Sequence, residues 1–491
     1  MAAVLRLFRL GHQSLWVDEI ITWYSATASV PMTLSRLLEN VHGPLYSLML
    51  HAWCSVAGES EWALRLPSAL MGIALVPAIA WLSGRWLGRS SAAPAAWLTA
   101  GSPFLVWYAQ EARNYSMLML AAAIASAVLV GLRERLTARG TLGYVMAAAA
   151  GLLSNFSFAL LAPVHLRWWL GERGERRRRL LLAGAAALVL LVALLPWVSH
   201  IRTNWDWRRL HPDRAKEAGE TALRGGTTFH PGAIPFALHS FAVGYTLGPP
   251  LRELRADSSL RTLKRHAPEL ATSALVFGTL SVLGLIAMRR RRRLSELLLW
   301  TLPAVLIVSY FGAQNFKTFH PRYLAVLMPA LIALWAAALA DLGRAQRIAM
   351  ALAVAGLWMV SLAHLYADDR YAKDDLRSAA RVIAERGRSG EVVIAANTVE
   401  LLVYYYRGAL PVRHYWLGFV AQPDSMAVRF EHLKGSGASW VLLSRPEDLD
   451  PHGAFARYLD ARYPSAERWR FAGVRLWRLP SEVAGAETKS P

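Results

Sequence analysis

Residues 115–132 read YSMLMLAAAIASAVLVGL, an apolar run without an acidic or basic side chain. A helix needs roughly 20 apolar residues to cross the hydrocarbon core of a bilayer, and somewhat shorter runs can still cross. Runs of this kind recur along the chain and predict several membrane-spanning helices. They are Leu64 to Ser83, Ala92 to Tyr108, Tyr115 to Leu132, Leu180 to Ser199, Ala271 to Met288, Leu294 to Phe311, Tyr323 to Ala340 and Ile348 to Leu365.

The composition of the whole chain agrees with a membrane protein. Its 491 residues are 55% hydrophobic and only 18% charged, whereas soluble globular proteins are about 25% charged. The net charge of +20 does not indicate nucleic-acid binding, because the basic residues form short arginine clusters between apolar runs, where they orient membrane helices. The single cysteine, Cys54, excludes a disulfide within the chain.

The segment from Thr141 to Leu170 is predicted to cross the membrane twice. At about 1.5 Å per residue it is too long for one span, and its polar middle, SNFS at residues 154–157, is typical of a tight turn. With two crossings here, all the arginine clusters fall on one side, which the positive-inside rule assigns to the cytoplasm. The clusters are Arg85 and Arg89, Arg133 to Arg139, Arg173 to Arg179, Arg289 to Arg293, and Arg344 with Arg347.

This topology has about ten crossings and places both ends of the chain outside the cytoplasm. The stretch from Ala2 to Leu10 is similar to the last turns of a span that begins before Met1. We predict three parts. Residues 1–63 form a first extracytoplasmic loop with juxtamembrane helices, residues 64–365 form the transmembrane domain with a large external loop at 200–270, and residues 366–491 form an extracytoplasmic α/β domain.

The residue pattern changes after Tyr366. Lys373 to Gly387 is predicted to form an amphipathic helix. The short β-rich runs Glu391 to Ala396, Trp440 to Ser444 and Val474 to Leu479 are predicted strands. Alternation of a helix with strands in this part indicates a small domain with its own core.

Two adjacent acids, Asp18 and Glu19, stand in the stretch SLWVDE at residues 14–19. The nearby Trp16 favours the membrane interface, so the acids are expected at the level of the lipid head groups. A general base for sugar transfer needs a carboxylate close to the acceptor hydroxyl, and this pair supplies one. The alternative is that the acids are solvated or cap the helix that starts at Ile20.

A second polar patch, YAQEARNY at residues 108–115, lies in a short turn between two predicted spans. A turn does not by itself require an acid, a base and two aromatic residues, so we predict that the patch belongs to a functional site. The alternative is an aromatic belt at the interface with a local ion pair between Glu111 and Arg113.

A third patch, KTFHPRY at residues 317–323, places three potential cations immediately outside a span: Lys317, His320 and Arg322. Arginine donates in a bidentate fork and lysine acts as a point charge. The patch is therefore predicted to hold a lipid phosphate or pyrophosphate. Nonspecific attraction to anionic head groups is the alternative.

Two smaller features precede the first long span. HGPLY at residues 42–46 predicts a turn that leads into a helix on the membrane surface, where His42 is expected either to hydrogen-bond a substrate or to cap and pack. Glu61 and Arg65 are four residues apart, a spacing that predicts an ion pair within one helix.

Together these residues resemble the GT-C glycosyltransferases that use polyprenyl-phosphate sugars, in particular the family-39-like bacterial membrane proteins related to protein O-mannosyltransferases and to the aminoarabinose transferase of lipid A. The chain departs from that family in lacking a first helix and in carrying Gly43 where many relatives have a second proline. The resemblance implies a mostly α, polytopic, GT-C-like membrane protein with a C-terminal extracytoplasmic α/β domain. The matching motifs, in the family's order, are SLWVDE at 14–19, HGPLY at 42–46, RLPS at 65–68, YAQEARNY at 108–115 and HPRYL at 320–324.

The resemblance also implies roles for individual residues. Asp18 is the expected catalytic carboxylate that activates the acceptor, with Glu19 and Glu111 assisting it or holding a divalent cation where one is used. The lipid phosphate is expected on Arg113, Lys317 and Arg322. The full predicted substrate-binding set is His42, Tyr46, Arg113, Tyr115, Lys317, His320, Arg322 and Tyr323.

The predicted function is inverting transfer of one sugar from a polyprenyl-phosphate carrier to a lipid, glycan or protein acceptor on the extracytoplasmic face of a bacterial plasma membrane. One alternative is a transporter or flippase of lipid-linked sugars, which the scarcity of ionisable residues within the spans disfavours. Another is a noncatalytic scaffold whose α/β domain binds a partner, which would not need Asp18. The sequence does not decide metal dependence, because Asp18 and Glu19 are acids that could bind Mg²⁺ or Mn²⁺. Nucleic acid is not an expected partner.

Overall fold

A computed structural model of the chain describes residues 1–481 except 41–42, 171–175, 205–231, 258, 314–319, 397–399, 416–422, 435–436 and 451–452. The described part is mostly helical, as predicted. The helices up to residue 204 are α1 Ala2–Leu7, α2 Val17–Ala26, α3 Val30–Asn40, α4 Pro44–Ala57, α5 Glu61–Leu87, α6 Ala92–Gly101, α7 Pro103–Ala109, α8 Tyr115–Glu134, α9 Ala138–Ser154, α10 Ala162–Leu170 and α11 Arg176–Asn204.

The chain continues with α12 Ala233–Val243, α13 Leu251–Ala256, α14 Leu260–Arg265, α15 Ala267–Arg290, α16 Leu294–Ala313, α17 Met328–Asp341 and α18 Arg344–Ala367. The C-terminal part contains α19 Leu376–Arg386, α20 Glu400–Tyr405, α21 Pro423–Lys434, α22 Pro446–Leu449 and α23 Ala454–Arg462. Its strands are β1 Val392–Ala396, β2 Val412–Tyr415, β3 Ser439–Ser444, β4 Glu467–Phe471 and β5 Val474–Leu479. Short 3₁₀ turns occur at Arg89–Ser91, Phe156–Leu161, Pro321–Leu327 and Asp369–Tyr371.

The chain is a multi-pass membrane protein. Within the described ranges, five helical segments are long and apolar enough to cross a bilayer: 61–87, 115–134, 267–290, 321–341 and 344–367. Shorter apolar helical stretches occur at 180–192, 233–243 and 294–310. Large apolar side chains on the outer helices are exposed, for example Leu275 at 71% and Leu352 at 67%. Lipid contact explains this exposure better than water contact.

The prediction of one helix from Ala92 to Tyr108 was wrong, because the helix is interrupted at Ser102. Pro103 lacks an N–H donor, so the helix restarts with Pro103 in its first turn and the Ser102 hydroxyl accepts from the Leu105 N–H. The last carbonyl groups of α6 accept hydrogen bonds from a distant side chain. Arg6 is fully buried and donates to the carbonyls of Thr99 and Ala100 at 2.9 and 3.0 Å, where the helix dipole favours a cation.

The prediction of two helices between Thr141 and Leu170 is confirmed. α9 ends at Ser154, and the Asn155 side chain then accepts a hydrogen bond from the Ser157 N–H at 3.0 Å to start a 3₁₀ turn. The second helix, α10, follows at Ala162. The polar middle of the segment therefore forms the turn, because its side chains satisfy backbone groups that the helix end leaves open.

Several arginine clusters that were predicted to share one side meet at one end of the bundle. Arg133, at the end of α8, and Arg293, before α16, both contact Glu296 at 2.8 and 3.1 Å. Arg291 donates to the Leu87 carbonyl at the end of α5 and pairs with Asp341 at the end of α17. The contacts join the ends of four helices, as the predicted topology requires for these clusters.

The C-terminal part forms the predicted α/β domain. Its five described strands have the order β2-β1-β3-β5-β4, with β1 parallel to β2 and β3, and β5 antiparallel to β3 and β4. The three predicted strands are confirmed and occupy the middle of this sheet. The edge strands β2 and β4 were missed because most of their side chains are exposed or only partly buried, so they lack a hydrophobic alternation.

The α/β domain shares a hydrophobic core with the first part of the chain. Leu15 and Ile20 from the N-terminal segment pack in one cluster with Leu376 and Ile383 of α19 and Trp440 of β3. The sheet domain is therefore held against the end of the membrane domain that carries Asp18 and Glu19. The connecting residues 368–375, called the linker below, run through the same region.

Candidate active site

Asp18 and Glu19 lie in the first turn of α2, which begins at Val17. An acid is stabilised at this position by the partial positive charge of the helix N-terminus. The Glu19 side chain also accepts from the Trp16 N–H at 3.4 Å, as in a capping box. The alternative interpretation as a helix cap is thus correct for Glu19, and it does not account for Asp18.

The Asp18 carboxylate is paired with Arg322, which lies 304 positions further along the chain. Arg322 Nη1 lies 2.6 Å from Asp18 Oδ2, and both side chains are largely buried. Burial alone would raise the pKa of Asp18, but the charges of Arg322 and Arg113 outweigh burial and hold that pKa well below its ordinary value. Asp18 is therefore a carboxylate throughout the physiological pH range.

Aromatic rings surround the Arg322 guanidinium. Its carbon lies 5.5 Å from the centre of the Trp16 ring and 6.0 and 5.6 Å from those of Tyr115 and Tyr323. Cation–π contacts hold a planar guanidinium in a fixed orientation while leaving some of its N–H groups for another acceptor. Arg322 Nε has no hydrogen-bond partner in the described structure.

His320 was predicted as a potential cation and is neutral instead. Burial lowers its pKa well below the ordinary value, and the Arg322 charge lowers it further. Its Nδ1 accepts from the Arg322 N–H at 3.3 Å and so caps the 3₁₀ turn that follows. His320 thus orients Arg322 and lies against the Tyr245 ring, 5.6 Å between centres.

Glu19 is fully buried, and protein donors bind both of its oxygens. Arg65 contacts Oε1 and Oε2 at 2.8 Å each, the Ala112 N–H donates to Oε1 at 2.8 Å, and Lys373 lies 3.2 Å from Oε2. Burial alone would raise the pKa of Glu19, but the Arg65 and Lys373 charges lower it to about 2. The contacts are those of a structural ion pair, and the assisting catalytic role of Glu19 stays a prediction.

The predicted helical pair between Glu61 and Arg65 was wrong. Arg65 turns away from Glu61 to reach Glu19, and it also donates to the carbonyls of Leu10, Gln13 and Ser14 at 2.8–3.0 Å. Glu61 pairs with Arg377 of the α/β domain at 2.7 Å. Burial decides the outcome, because the fully desolvated carboxylate of Glu19 needs a bidentate cation more than the Glu61 carboxylate, which is 20% exposed, does.

Glu111 and Arg113, in the second patch, have separate partners and form no pair with each other. Arg113 Nη1 donates to the Asp18 carbonyl at 3.1 Å and to the Thr22 hydroxyl at 2.7 Å, which fixes the first turn of α2. Glu111 Oε1 lies 3.6 Å from Lys373 Nζ. Glu111 Oε2 is buried and has no hydrogen-bond partner among the described residues.

The remaining predicted residues lie behind this site or outside the described residues. Tyr46 is buried and its hydroxyl lies 2.8 Å from that of Ser68, which donates to the Arg113 carbonyl at 3.0 Å. Tyr115 packs edge-on against Tyr108, 4.9 Å between centres. Both tyrosines support the walls of the site. His42 and Lys317 lie outside the described residues, so their roles stay predictions.

Gly43 stands where many members of the family that this chain resembles have a proline, and close packing explains the glycine. It is the N-cap of α4 and touches the end of α9, so that a Cβ at this position would overlap the Leu153 carbonyl. Proline or any other larger residue would push α4 away from α9. The departure therefore follows from close packing of two helices next to the second patch.

A cavity lies between the membrane domain and the linker, with about 640 Å³ of space between its walls, part of it open to solvent. Five lining residues are Arg or Lys and two are acids, so the cavity suits an anion. Its walls are Trp16, Trp107, Tyr108, Glu111, Tyr245, Leu251, Arg252, Arg255, His320, Arg322, Arg370, Tyr371, Ala372, Lys373 and Asp374.

The same arrangement of helices and a C-terminal sheet domain is present in solved structures. The structure of ArnT from Cupriavidus metallidurans in the apo state has a TM-score of 0.59 and 15% identity, covering 99% of this chain and 97% of that one. This chain has the GT-C fold. The structure of the same protein bound to undecaprenyl phosphate has a TM-score of 0.53, 16% identity and coverage of 99% and 98%.

Two further comparisons agree with the GT-C fold. The oligosaccharyltransferase of Archaeoglobus fulgidus, tethered to an acceptor peptide, has a TM-score of 0.50 and 12% identity over 84% of this chain and 62% of that one. Residues 41–200 match the family model described as dolichyl-phosphate-mannose-protein mannosyltransferase. A search of the curated proteins finds no match. The resemblance predicted from the motifs is confirmed.

The acids of this GT-C site do not fit a divalent cation. Glu19 has no oxygen free of Arg65, Lys373 or the Ala112 N–H, and Asp18 is paired with Arg322. No three His, Cys, Asp or Glu side chains come together as a ligand set anywhere in the part of the chain that the structure describes. A metal at the acid pair would displace several cations, so no chemical step is assigned to one.

Several residues of the site were missed from sequence. Lys373 was placed at the start of the amphipathic helix, but α19 begins only at Leu376, where Asp375 caps it by accepting from the Ser378 N–H. Arg65 was assigned to an ion pair with Glu61 within one helix. Arg252 and Arg255 in α13 and Arg370 in the linker carry no local signal. Only their shared cavity distinguishes them from other arginines.

Proposed function

We propose that this protein is an inverting membrane glycosyltransferase that moves one sugar from a polyprenyl-phosphate donor to an acceptor hydroxyl. The observation that carries the proposal is the contact between Asp18 and Arg322, at the edge of a cavity lined by cations and aromatic rings. It combines an ionised base with a phosphate-binding cation. Further support comes from the structural neighbour that was solved bound to undecaprenyl phosphate.

In this mechanism the donor phosphate competes with Asp18 for Arg322. A phosphate on Arg322 neutralises the charge that holds the pKa of Asp18 down, so the carboxylate becomes more basic when the donor binds. The freed carboxylate then takes the proton of the acceptor hydroxyl. Donor binding and activation of the base are thus coupled through one guanidinium.

The transfer is a single displacement. The acceptor oxygen bonds to the anomeric carbon as the bond from that carbon to the phosphate oxygen breaks, and the proton of the acceptor passes to Asp18. The polyprenyl phosphate leaves with the electron pair, and Arg322 stabilises its growing negative charge. Arg113 fixes the turn of α2 that carries Asp18. This keeps the Asp18 carboxylate close to the Arg322 guanidinium.

The proposed site faces the extracytoplasmic side. The Arg133 and Arg291 clusters meet at one end of the bundle, and arginine-rich ends are retained in the cytoplasm. The site is built instead from the loops before α5, between α7 and α8, and before α17. The chain alternates between ends of the bundle along these helices, so these loops lie at the other end. A bacterial plasma membrane suits such a protein.

The first experiment is turnover of radiolabelled polyprenyl-phosphate sugars by purified protein in detergent or liposomes. Release of polyprenyl phosphate together with a labelled acceptor product supports the proposal. Movement of intact lipid-linked sugar across the liposome membrane without product would instead favour the transporter. The absence of both transfer and transport would favour the scaffold. Different donor sugars and lipid, glycan and peptide acceptors are tested in the same assay.

Replacing Arg322 with glutamine is expected to weaken donor binding by about 10- to 100-fold, because a charge-assisted contact to phosphate contributes about 1.5–3 kcal/mol. Binding is measured with radiolabelled polyprenyl phosphate. Arg344→Gln, an exposed residue at the arginine-rich end, is the matched control and should bind as the wild type does. Equal affinity in Arg322→Gln and the control would remove Arg322 from the phosphate site.

Chelation is expected to leave turnover unchanged, because the cations around Asp18 and Glu19 occupy the places where a divalent ion would bind. Donor consumption is measured before and after dialysis against EDTA, with retention within about twofold taken as no change. Activity that falls with EDTA and returns with Mg²⁺ or Mn²⁺ would contradict the expectation and assign the ion to another arrangement of these acids.

A further inference from the structure

Lys373 brings a buried ammonium from the linker into the acid cluster. It is only 9% exposed. Its Nζ donates to Glu19 Oε2 at 3.2 Å and to the Gln110 carbonyl at 3.4 Å, and it makes an ion-pair contact with Glu111 Oε1 at 3.6 Å. An ammonium has three N–H donors. Two of them donate to protein oxygens, and the charge faces the carboxylates of Glu19 and Glu111, so Lys373 acts within the acid cluster.

The linker that carries Lys373 is fixed from several sides. The Lys373 N–H donates to Gln13 Oε1 at 3.1 Å, and Arg252 donates to the Lys373 carbonyl at 3.3 Å. Tyr371 donates to the Gly248 carbonyl at 2.6 Å, and the Asp375 N–H donates to the Ala472 carbonyl of the β4–β5 turn at 2.8 Å. Membrane domain and sheet domain therefore both hold the lysine in position.

Glu111 is the group on which Lys373 acts. Its carboxyl is 1% exposed and lines the cavity, and one oxygen contacts Lys373 while the other, Oε2, has no partner among the described residues. An unpartnered buried carboxyl oxygen is costly unless a ligand completes it. A sugar or acceptor hydroxyl in the cavity would donate to this oxygen.

We propose that Lys373 is a positioning residue that orients Glu111 to accept a hydrogen bond from a substrate hydroxyl, so that docking of the α/β domain completes the active site. The inference rests on the proposed function and deepens it, because it assigns the C-terminal domain a part in catalysis. Removing the ammonium leaves Glu111 buried among other acids and disfavours its charged form.

The electrostatic setting of Glu111 makes the inference testable by pH. Burial raises the pKa of Glu111, and the nearby Lys373 charge opposes that rise. Loss of the Lys373 charge should therefore move this pKa upward. The charged and titratable groups around Glu111 are Asp18 and Glu19 from α2, Arg65 from α5, Tyr108 from α7, Tyr245 after α12, Arg322 before α17 and Lys373 from the linker.

The experiment compares the pH dependence of kcat/KM in wild type, Lys373→Met and Lys373→Arg, with donor affinity and thermal unfolding measured for each. Lys373→Met should lower kcat/KM at pH 7 by about 10- to 100-fold and move the acidic limb of the profile upward by about one pH unit or more, as loss of a neighbouring opposite charge does. Donor affinity should change less than about threefold. Lys373→Arg should keep the wild-type limb.

A double-mutant cycle separates this role from simple packing. If Lys373 acts through Glu111, Lys373→Met should cost no more than about twofold in the Glu111→Gln background, where there is no charge left to tune. An unchanged profile in Lys373→Met, or an equal cost in both backgrounds, would overturn the inference. If the methionine variant does not fold, Lys373→Gln takes its place because its amide can still donate to the same acceptors.

The wild-type measurement distinguishes the two proposals. Turnover by wild type with normal behaviour of the Lys373 variants overturns only the role of Lys373. A wild type that transfers no sugar to any acceptor overturns the proposed function and, with it, this inference.

Discussion

Replacing Asp18 with asparagine is expected to lower kcat by at least about 10²- to 10⁴-fold, the range that a general base contributes. Asparagine keeps the size of the side chain and a hydrogen bond to Arg322, but it cannot take a proton from the acceptor. Donor binding should be equal or tighter, because the variant no longer competes for the Arg322 guanidinium through a full negative charge. Turnover and donor binding are measured on the same preparations.

The matched control for this variant is Asp369→Asn, an exposed acid in the linker. It should keep wild-type turnover. Activity of Asp18→Asn above about a tenth of wild type would be too high for the loss of a general base, and a parallel loss of donor binding would show that Asp18 organises the site rather than acting as its base. The depressed pKa of Asp18 in the protein without donor adds a check, because Asp18 should contribute no acidic limb above its ordinary value of 3.8 to the pH profile of kcat/KM, which reports the free enzyme.

Removing Arg65 is expected to have the largest effect on stability. Arg65→Ala leaves the buried Glu19 charge with fewer donors and leaves three backbone carbonyls without theirs. Breaking one side of a buried ion pair typically costs about 3–5 kcal/mol. The free energy of unfolding should fall by that order, which is measured as a lower melting temperature in detergent and a shorter half-life on heating.

Arg377→Ala provides the control, because it removes an Arg–Glu pair whose side chains are 31% and 20% exposed. Such a pair is worth about 1 kcal/mol or less. If the two variants melt alike, burial of the Arg65 pair is not what stabilises this region. The contribution of Glu19 also depends on pH: its pKa is about 2 against an ordinary 4.5, so the stabilisation is complete above about pH 4.5 and is lost as the pH falls toward 2.

The two acids of the first loop illustrate how far sequence reasoning reaches. Adjacent carboxylates beside Trp16 indicated a site at the membrane surface, but their spacing could not distinguish one acid from the other. The structure gives them different surroundings. Glu19 faces inward to Arg65, while Asp18, one position along the helix, reaches Arg322 at the edge of the cavity. A step of one residue turns a helix by about 100°.

The predicted pair of Glu61 with Arg65 and the alternative pair of Glu111 with Arg113 fail to form for the same reason. Glu61 and Arg65, like Glu111 and Arg113, are close in sequence, and in each case the structure selects a more distant partner. Local spacing shows only which pairs are geometrically allowed. Which pair forms depends on which groups are desolvated together, and packing of α2 against α5 and the linker decides that.

The sequence by itself determined the class of the protein, the two helices and the turn between Thr141 and Leu170, the central strands of the α/β domain and the motifs that led to the GT-C fold. Hydrophobic runs and turn chemistry are local, and local patterns can be read from neighbouring residues. Only the tertiary structure decided that Asp18 meets Arg322 across 304 positions and that Lys373 enters the site from the linker. Charged groups so far apart are selected by shared burial, and burial is a property of the packed whole.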